Sequence, residues 1–215
     1  STLIRLFGVG RRVPTDQVGE AIYPSRTDQL VEIGALAEYN GLVQPLMAID
    51  ADGDMLIAHD VAHHGRALAG DHVIGLGPAP RTLAALTVRS PVGRVLDLGT
   101  GSGIQALRAS SHADEVVATD INPRALAYAH FNAALNRVAT PAVRAGDLFE
   151  PVANDRFDLI VANPPYVLSP DSSLPFRDSG MDGDRPTQTV GHEAAAPPHD
   201  HGLASVLGSG GHRAG

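Results

Sequence analysis

Between residues 94 and 163, short apolar segments alternate with segments that favour helices. The apolar segments are RVLDL, EVVATD, AVRAGDLF and FDLIVAN, and the helical ones are GSGIQALRAS and PRALAYAHFNAALNR. Nearly continuous apolar strands separated by helices are typical of a parallel sheet covered on both faces. Right-handed crossovers place the carboxyl ends of such strands at one edge, where ligands bind. The pattern therefore predicts an α/β fold with a ligand site at that edge.

Composition narrows the class of protein further. The chain has 215 residues, of which 43% are hydrophobic, enough for one domain or for a small domain beside an incomplete larger one. Cysteine is absent, so disulfides and thiolate metal sites are excluded, and we predict no metal site. Without an apolar run of about 20 residues, we expect a cytoplasmic protein with no membrane partner. The formal charge of −8 gives no general affinity for nucleic-acid backbones.

The chain is predicted to have three parts. Residues 1–75 indicate a small winged-helix-like α+β unit, which either recognises the substrate or covers the next domain. Residues 76–190 hold the α/β core, and residues 191–215 are expected to be an irregular, truncated or disordered tail. In the first part, DQLVEIGALAEY is predicted as a helix with one apolar face, formed by Leu30, Ile33, Leu36 and Ala37.

A hairpin is predicted after that helix. GLVQPLMAI and MLIAHD are predicted strands, joined by the turn DADGD. Its tip carries Asp50, Asp52 and Asp54, which argues against a wing that grips nucleic-acid phosphates.

A glycine turn follows the first strand of the core. VLDLGTGSG has the spacing G-x-G-x-G, with Ile104 where the dinucleotide-binding fingerprint requires its third glycine. Glycines in such a turn let a ligand approach the backbone closely. Asp97, just before the turn, suits a ligand with an ammonium group better than a pyrophosphate. An oxidoreductase that binds a nicotinamide dinucleotide is therefore disfavoured.

Two further carboxylates end the next two predicted strands. Asp120 can accept hydrogen bonds from ribose hydroxyls, or it can act as the N-cap of the helix that begins at NPRAL. Asp147 can accept from an adenine amino group, with Leu148 against the ring, or it can be an ordinary loop aspartate.

Together these motifs resemble the class I S-adenosylmethionine-dependent methyltransferases over roughly residues 76–170. The resemblance implies a Rossmann-like methyltransferase sheet of seven strands, of which four are clear here and a fifth is possible in LASVLG. It also implies S-adenosyl-L-methionine as the cofactor. The positions that match its binding residues are Asp97, Gly99, Thr100, Gly101, Ser102, Gly103, Asp120, Ile121, Asp147, Leu148 and Asn163.

The fourth strand runs into LIVANPPYVLS, and two consecutive prolines end it because neither can donate to a ladder. In the resemblance, Asn163, Pro164, Pro165 and Tyr166 are the catalytic residues of enzymes that methylate a nitrogen on a planar group. The Asn163 side-chain oxygen and the Pro164 carbonyl can each accept one N–H of the target, and the Tyr166 ring can lie against it. The alternative is a strand-ending turn with a core tyrosine.

The substrate indicated is macromolecular. DLGTGSGIQAL, DLFEPV and NPPYV resemble the HemK-like protein-glutamine methyltransferases, whose targets are release factors. GPAPRTLAALTVR loosely resembles their preceding segment, with Arg81 and Thr82 as candidates for lining the site. The NPPY sequence is shared with methyltransferases acting on RNA or DNA bases, so an RNA substrate stays open, as does an inactive remnant that binds a partner.

Overall fold

The structure, a computed structural model, describes residues 1–61, residues 70–163 and the backbone of residues 203–206. The chain divides into two compact units, Ser1–Ala67 and Leu68–Gly215. Each unit is described by itself.

The first unit combines short helices with two small antiparallel sheets. Strands β1, β3 and β2 form one sheet in that order, and β4 and β5 form a hairpin. A short π-helix, Ile4–Gly8, precedes β1, and one buried core cluster consists of Leu6, Val13, Val18, Leu36 and Val43. The elements are β1 (Val13–Pro14), α1 (Thr15–Ile22), α2 (Thr27–Glu32), β2 (Leu36–Tyr39), β3 (Leu42–Pro45), β4 (Met47–Asp52) and β5 (Met55–Asp60).

The predicted hairpin is confirmed in part, and the predicted helix before it is wrong in its second half. The segment GLVQPLMAI forms two strands in different sheets, β3 and β4, and Asp50 and Asp52 belong to β4, so of the three predicted tip aspartates Asp54 lies in the turn. Asp52 lies opposite Met55, so a two-residue turn joins β4 to β5. Helix α2 ends at Glu32, and Leu36–Tyr39 forms β2 instead. Ile33, expected on the buried face, is 68% exposed. Pairing with β3 buries Leu36 and provides long-range hydrogen bonds that outweigh the local helical periodicity.

The second unit contains the predicted parallel sheet. Its order is β10-β9-β6-β7-β8 and every neighbouring pair is parallel, which also confirms the fifth strand in LASVLG. A short 3₁₀ helix, Glu150–Val152, lies between β8 and β9. The elements are α3 (Pro78–Leu86), β6 (Val92–Leu98), α4 (Ile104–Ala109), β7 (Ala113–Asp120), α5 (Pro123–Asn136), β8 (Ala142–Ala145), β9 (Leu159–Ala162) and β10 (Leu203–Val206).

Both faces of this sheet are buried, which explains the almost wholly apolar strands. On one face Val95, Val116, Ala118, Leu159 and Val161 pack with Leu83 of α3 and with α4. On the other face the alternate residues Leu96, Leu98, Val117, Ile160 and Ala162 pack with Val152 and Phe157. The third strand is shorter than the segment AVRAGDLF suggested. It ends at Ala145, and the residues that follow form a turn in which the backbone carbonyl of Asp147 accepts from the Glu150 N–H.

The strand order creates a crevice beside β6. From β6 the chain continues to β7 and β8 on one side, and it then crosses to β9 on the other side. In open parallel sheets, ligands bind outside the carboxyl ends of the strands at such a reversal. No helix in the described ranges is long and apolar enough to span a membrane.

Candidate active site

The register brings the predicted site residues to one edge of the sheet. Leu98 of β6 lies opposite both Thr119 of β7 and Ala162 of β9. Gly99, Asp120 and Asn163, the next residues on the three strands, are therefore level with one another. With strands about 4.8 Å apart, Asp120 and Asn163 flank the glycine turn roughly 10 Å from each other. The Gly146 N–H donates to the Asp120 carbonyl at 3.1 Å, which brings the loop after β8 to the same edge.

The glycines of the turn have different surroundings. Side-chain carbons added at Gly99 or Gly101 would meet no atom within 4 Å. One added at Gly103 would lie 2.8 Å from the Ala129 Cα, and Gly103 has a φ of +83°. Gly99 and Gly101 therefore border open space that a ligand can fill, whereas Gly103 lets helix α5 approach the turn.

Asp97 connects the strand end to the turn and to α4. Its side chain is 2% exposed, and one oxygen accepts from the Thr100 hydroxyl at 2.6 Å and from the Ala106 N–H at 2.9 Å. Burial raises the pKa of Asp97 to about 6, although these two hydrogen bonds partly oppose the shift. A further, smaller increase comes from the charge of Asp120. The described contacts of Asp97 are internal to the turn, and its predicted role toward an ammonium group stays a prediction.

Asp120 holds the turn from the next strand. One carboxylate oxygen accepts from the Gly101 N–H and the other from the Asn122 N–H, each at 2.9 Å. Burial raises the pKa of Asp120, and these hydrogen bonds oppose that shift. The backbone N–H of Ile121 also bonds to this carboxylate, which offers about four lone-pair sites in all and therefore keeps one that can accept from a hydroxyl. The N-cap of α5 is Asn122, whose side chain accepts from the Arg124 N–H. The N-cap alternative for Asp120 is therefore wrong.

The remaining predicted cofactor contacts differ in exposure. Ile121 is 71% exposed beside Asp120, while Thr100 and Ser102 are buried in the turn. Asp147 is exposed. Leu148 has a φ of +42°, unusual for a residue with a side chain, and it packs against the face of the sheet that contains Leu96 and Val152. The predicted contact of Leu148 with an adenine ring stays a prediction.

Asn163 ends the described part of the core. Its Oδ1 is buried and accepts no hydrogen bond from any described residue. A buried acceptor without a donor costs about 1–3 kcal/mol, so it calls for an explanation such as a missing ligand. Pro164, Pro165 and Tyr166 lie outside the described residues. Arg81 and Thr82 are exposed on α3, and neighbouring Pro80 accepts from the Gln105 side chain at 2.9 Å.

Two polar residues that support the turn were not predicted from sequence. Asn132 is fully buried on α5 and donates to the Ser102 carbonyl, and Asn122 donates to the Asp71 carbonyl as well as capping α5. A sequence pattern could have revealed Asn132: it is an amide on the helical face that otherwise carries Ala125, Ala129 and Ala133, all of them buried.

Comparison with known proteins finds relatives of the second unit. Residues 79–174 match the family described as "Methyltransferase small domain". The release factor glutamine methyltransferase of Bordetella pertussis is 48% identical over 85 residues, covering 38% of this chain and 31% of that protein. The ribosomal protein uL3 glutamine methyltransferase of Bradyrhizobium diazoefficiens is 38% identical over 136 residues, covering 55% of this chain and 42% of that protein. The chain thus spans less than half the length of these curated relatives.

A solved structure, the ribosomal protein L11 methylase of Lactobacillus delbrueckii subsp. bulgaricus, is 38% identical. The match covers 40% of this chain and 44% of the Lactobacillus protein, with a TM-score of 0.36. The sheet order, the glycine turn and the family match define residues 79–174 as a class I methyltransferase domain. This segment matches a methyltransferase small domain and is similar to the HemK-like glutamine methyltransferases, so the predicted resemblance and the Rossmann-like fold are confirmed.

Proposed function

We propose that the protein is an S-adenosylmethionine-dependent N-methyltransferase that acts on a planar amide or amine nitrogen, with the side chain of a protein glutamine as the substrate. The observation that carries the proposal is the unpaired, buried Oδ1 of Asn163, level with the glycine turn and one strand away from it. An acceptor in that position fits an N–H donor beside a bound cofactor. The protein would act in the cytoplasm.

The described residues fit the cofactor. Open space over Gly99 and Gly101 can admit a ligand against the backbone, and the remaining lone pair of the Asp120 carboxylate can accept from a ribose hydroxyl. Ile121 offers an exposed apolar side chain next to that carboxylate, where a flat base can lie. When bound, S-adenosylmethionine supplies an electrophilic methyl group on a sulfonium.

Asn163 would orient the nitrogen that is methylated. An amide nitrogen is a poor nucleophile because its lone pair is delocalised into the carbonyl. By accepting one N–H, the Asn163 oxygen turns that lone pair toward the methyl group and favours the positive charge that develops on nitrogen. The resemblance assigns the second N–H to the Pro164 carbonyl and the flat face of the target to Tyr166. The proton leaves after transfer, so the site needs no strong base.

Two facts favour a protein substrate over a nucleic acid. The two curated relatives described above are both named as glutamine methyltransferases. The chain also carries a net charge of −8, and its hairpin has Asp52 at the end of β4 and Asp54 in the turn, which oppose binding to a phosphate backbone. A nucleic-acid substrate is therefore the competing outcome of the test.

The first experiment separates cofactor binding from methyl transfer. Titration calorimetry with S-adenosylmethionine should detect binding by the unaltered chain, and Asp120→Ala should weaken it at least about 10-fold through the lost hydroxyl acceptor. Asp114→Ala, which removes a carboxylate from the opposite end of β7, is the matched control and should bind as the unaltered chain does. No binding heat and no thermal shift with the cofactor would refute the proposal.

The second experiment tests Asn163 and the substrate class. The chain is incubated with methyl-labelled cofactor and a cell lysate, and the label is then challenged with protease or with RNase. Asn163→Ala should bind the cofactor normally and transfer at least about 100-fold more slowly, the usual loss when one preorganised hydrogen bond to the reacting group is removed. Protease-sensitive label supports the proposal, and RNase-sensitive label assigns a nucleic acid instead. Binding without label on any macromolecule would identify an inactive remnant.

A further inference from the structure

A hydrogen bond from a buried side-chain amide connects helix α5 to the glycine turn. The Nδ2 of Asn132 donates to the Ser102 carbonyl at 2.8 Å. Asn132 is fully buried and Ser102 is 5% exposed, so water does not compete with this bond. A hydrogen bond shielded in this way fixes the direction of the peptide plane that contains it. Here that plane joins Ser102 to Gly103, the last peptide of G-x-G-x-G.

The same face of α5 touches the turn one helical step earlier. The Cα of Ala129 lies 2.8 Å from the place of a side-chain carbon on Gly103, and Ala129 is 1% exposed. Residues three apart on a helix are neighbours on its surface, so Ala129 and Asn132 form one contact area. The alanine permits the close approach, and the asparagine supplies a polar contact between the helix and the turn.

The start of helix α5 is also connected to Asp120, the carboxylate at the end of β7. Asp120 accepts from the Asn122 N–H at 2.9 Å, and Asn122 in turn caps the helix through the Arg124 N–H. One rigid element of 14 residues therefore starts at the strand-end carboxylate and packs against the glycine turn. Gly101, between these two attachments, donates to Asp120 at 2.9 Å.

We propose that Asn132 is a positioning residue for the cofactor, which holds the Ser102–Gly103 peptide so that the open face of Gly101 stays presented to the ligand. This inference rests on the proposed function. A glycine turn without such an anchor samples many backbone conformations, and the binding-competent one must then be selected at a cost in affinity. Asn132 removes that cost without touching the cofactor.

The test compares two asparagines of the same helix. Asn136 lies one turn after Asn132 and donates to a carbonyl at 2.7 Å, but this carbonyl belongs to Asn132 within the helix and not to the turn. The affinity of the full chain for S-adenosylmethionine is measured by calorimetry for Asn132→Ala and Asn136→Ala, together with their urea unfolding. We expect Kd to rise about 10-fold in Asn132→Ala and less than 2-fold in Asn136→Ala, even where the two lose similar stability.

A second variant keeps the test decisive if Asn132→Ala does not fold. Asn132→Asp has nearly the same shape, but an ionised carboxylate cannot donate to the Ser102 carbonyl, whereas the protonated acid can. Burial raises the pKa of such an acid into a range that calorimetry can reach. The ratio of its Kd to that of the unaltered chain should be about 10 at pH 7.5 and should fall toward 1 at pH 5.5. Taking the ratio at each pH cancels the titration of Asp97 and Asp120, which both proteins share.

The outcomes distinguish this inference from the proposed function. Equal Kd values for Asn132→Ala and Asn136→Ala, or a Kd ratio for Asn132→Asp that does not change with pH, would overturn the positioning role while leaving the proposed function intact. If the unaltered chain itself binds no S-adenosylmethionine, the proposed function fails and the positioning role fails with it.

Discussion

Gly103→Ala is predicted to destabilise the second unit by bringing a methyl group into the contact between the glycine turn and helix α5. The added carbon would lie 2.8 Å from the Ala129 Cα and 3.0 Å from its Cβ, both well inside van der Waals contact. Neither atom can swing away, because one is helix backbone and the other is attached directly to it. Either the helix or the turn must therefore move.

The magnitude follows from two contributions. A residue with a side chain at the observed φ of +83° costs about 1–2 kcal/mol relative to glycine. Overpacking against a fixed neighbour costs a further 1–3 kcal/mol or so. We therefore expect the free energy of unfolding to fall by about 2–5 kcal/mol, a large part of the 5–15 kcal/mol that is typical of a domain.

Urea unfolding followed by far-ultraviolet circular dichroism measures this loss. The matched control is Gly101→Ala, which has a φ of +54° but no atom within 4 Å of the added carbon. It should lose only the backbone contribution, about 1–2 kcal/mol. Cofactor affinity should show a different pattern, because the methyl group at Gly101 projects into the space assigned to the ligand, and Gly101→Ala should weaken binding in protein that remains folded.

Equal losses of stability in the two variants would refute this reasoning. That result would mean that backbone conformation alone governs both positions and that α5 does not press on the turn as the distances indicate. Full cofactor affinity in folded Gly101→Ala would separately contradict the assignment of the open space to the ligand.

Three further predictions concern the pH dependence of stability, a partly exposed ion pair and a helix cap. Because the folded pKa of Asp97 is raised to about 6 from 3.8, the folded state binds more protons between these values, and the stability due to this group is lost as pH rises through about 6. The free energy of unfolding should fall by about 3 kcal/mol for this reason. Urea unfolding from pH 4 to 7.5 should show this fall in the unaltered chain and not in Asp97→Asn; the same pH profile in both proteins would contradict the assignment to Asp97. Arg94→Met removes ion-paired hydrogen bonds to Glu115 at 2.8 Å and to Asp155 at 3.2 Å. Because the Arg94 side chain is partly exposed, the free energy of unfolding should fall by only about 1 kcal/mol, and by less in 1 M NaCl. A loss that does not change with salt would instead indicate lost packing. Asn122→Ala removes the N-cap of α5 and should cost about 1 kcal/mol in the same assay, whereas an unchanged midpoint would show that the cap is dispensable.

Much of the second unit could be predicted from the sequence because its signals are local. A strand buried on both faces must be apolar throughout, and the four segments from RVLDL to FDLIVAN satisfy this condition whatever their neighbours are. Parallel connections then bring Asp120 and Asn163 to the same edge, since every strand ends there. The prediction of that edge therefore needed no distances.

Prediction failed where a distant partner competes with local preference. The segment after Glu32 has helical periodicity, yet Leu36 and Ala37 pair with Pro45 and Gln44 in a sheet, and periodicity cannot reveal that pairing. The alternative reading of Asp120, as the N-cap of α5, was wrong for a similar reason. Both Asp120 and Asn122 are suitable caps, and only the backbone geometry decides that Asn122 takes the position.

Between residues 94 and 163 the sequence by itself determined the order of strands and helices, the glycine turn and the positions of the strand-end carboxylates, because each depends on a residue and its near neighbours. Only the tertiary structure decided that Gly103 makes room for Ala129, that Asn132 anchors the Ser102 carbonyl and that the Asn163 oxygen is left without a donor among the described residues. These contacts join residues about 26–64 positions apart, as with Gly103–Ala129 and the Gly99–Asn163 alignment. Their energies depend on differences of a few tenths of an ångström, which no sequence pattern specifies.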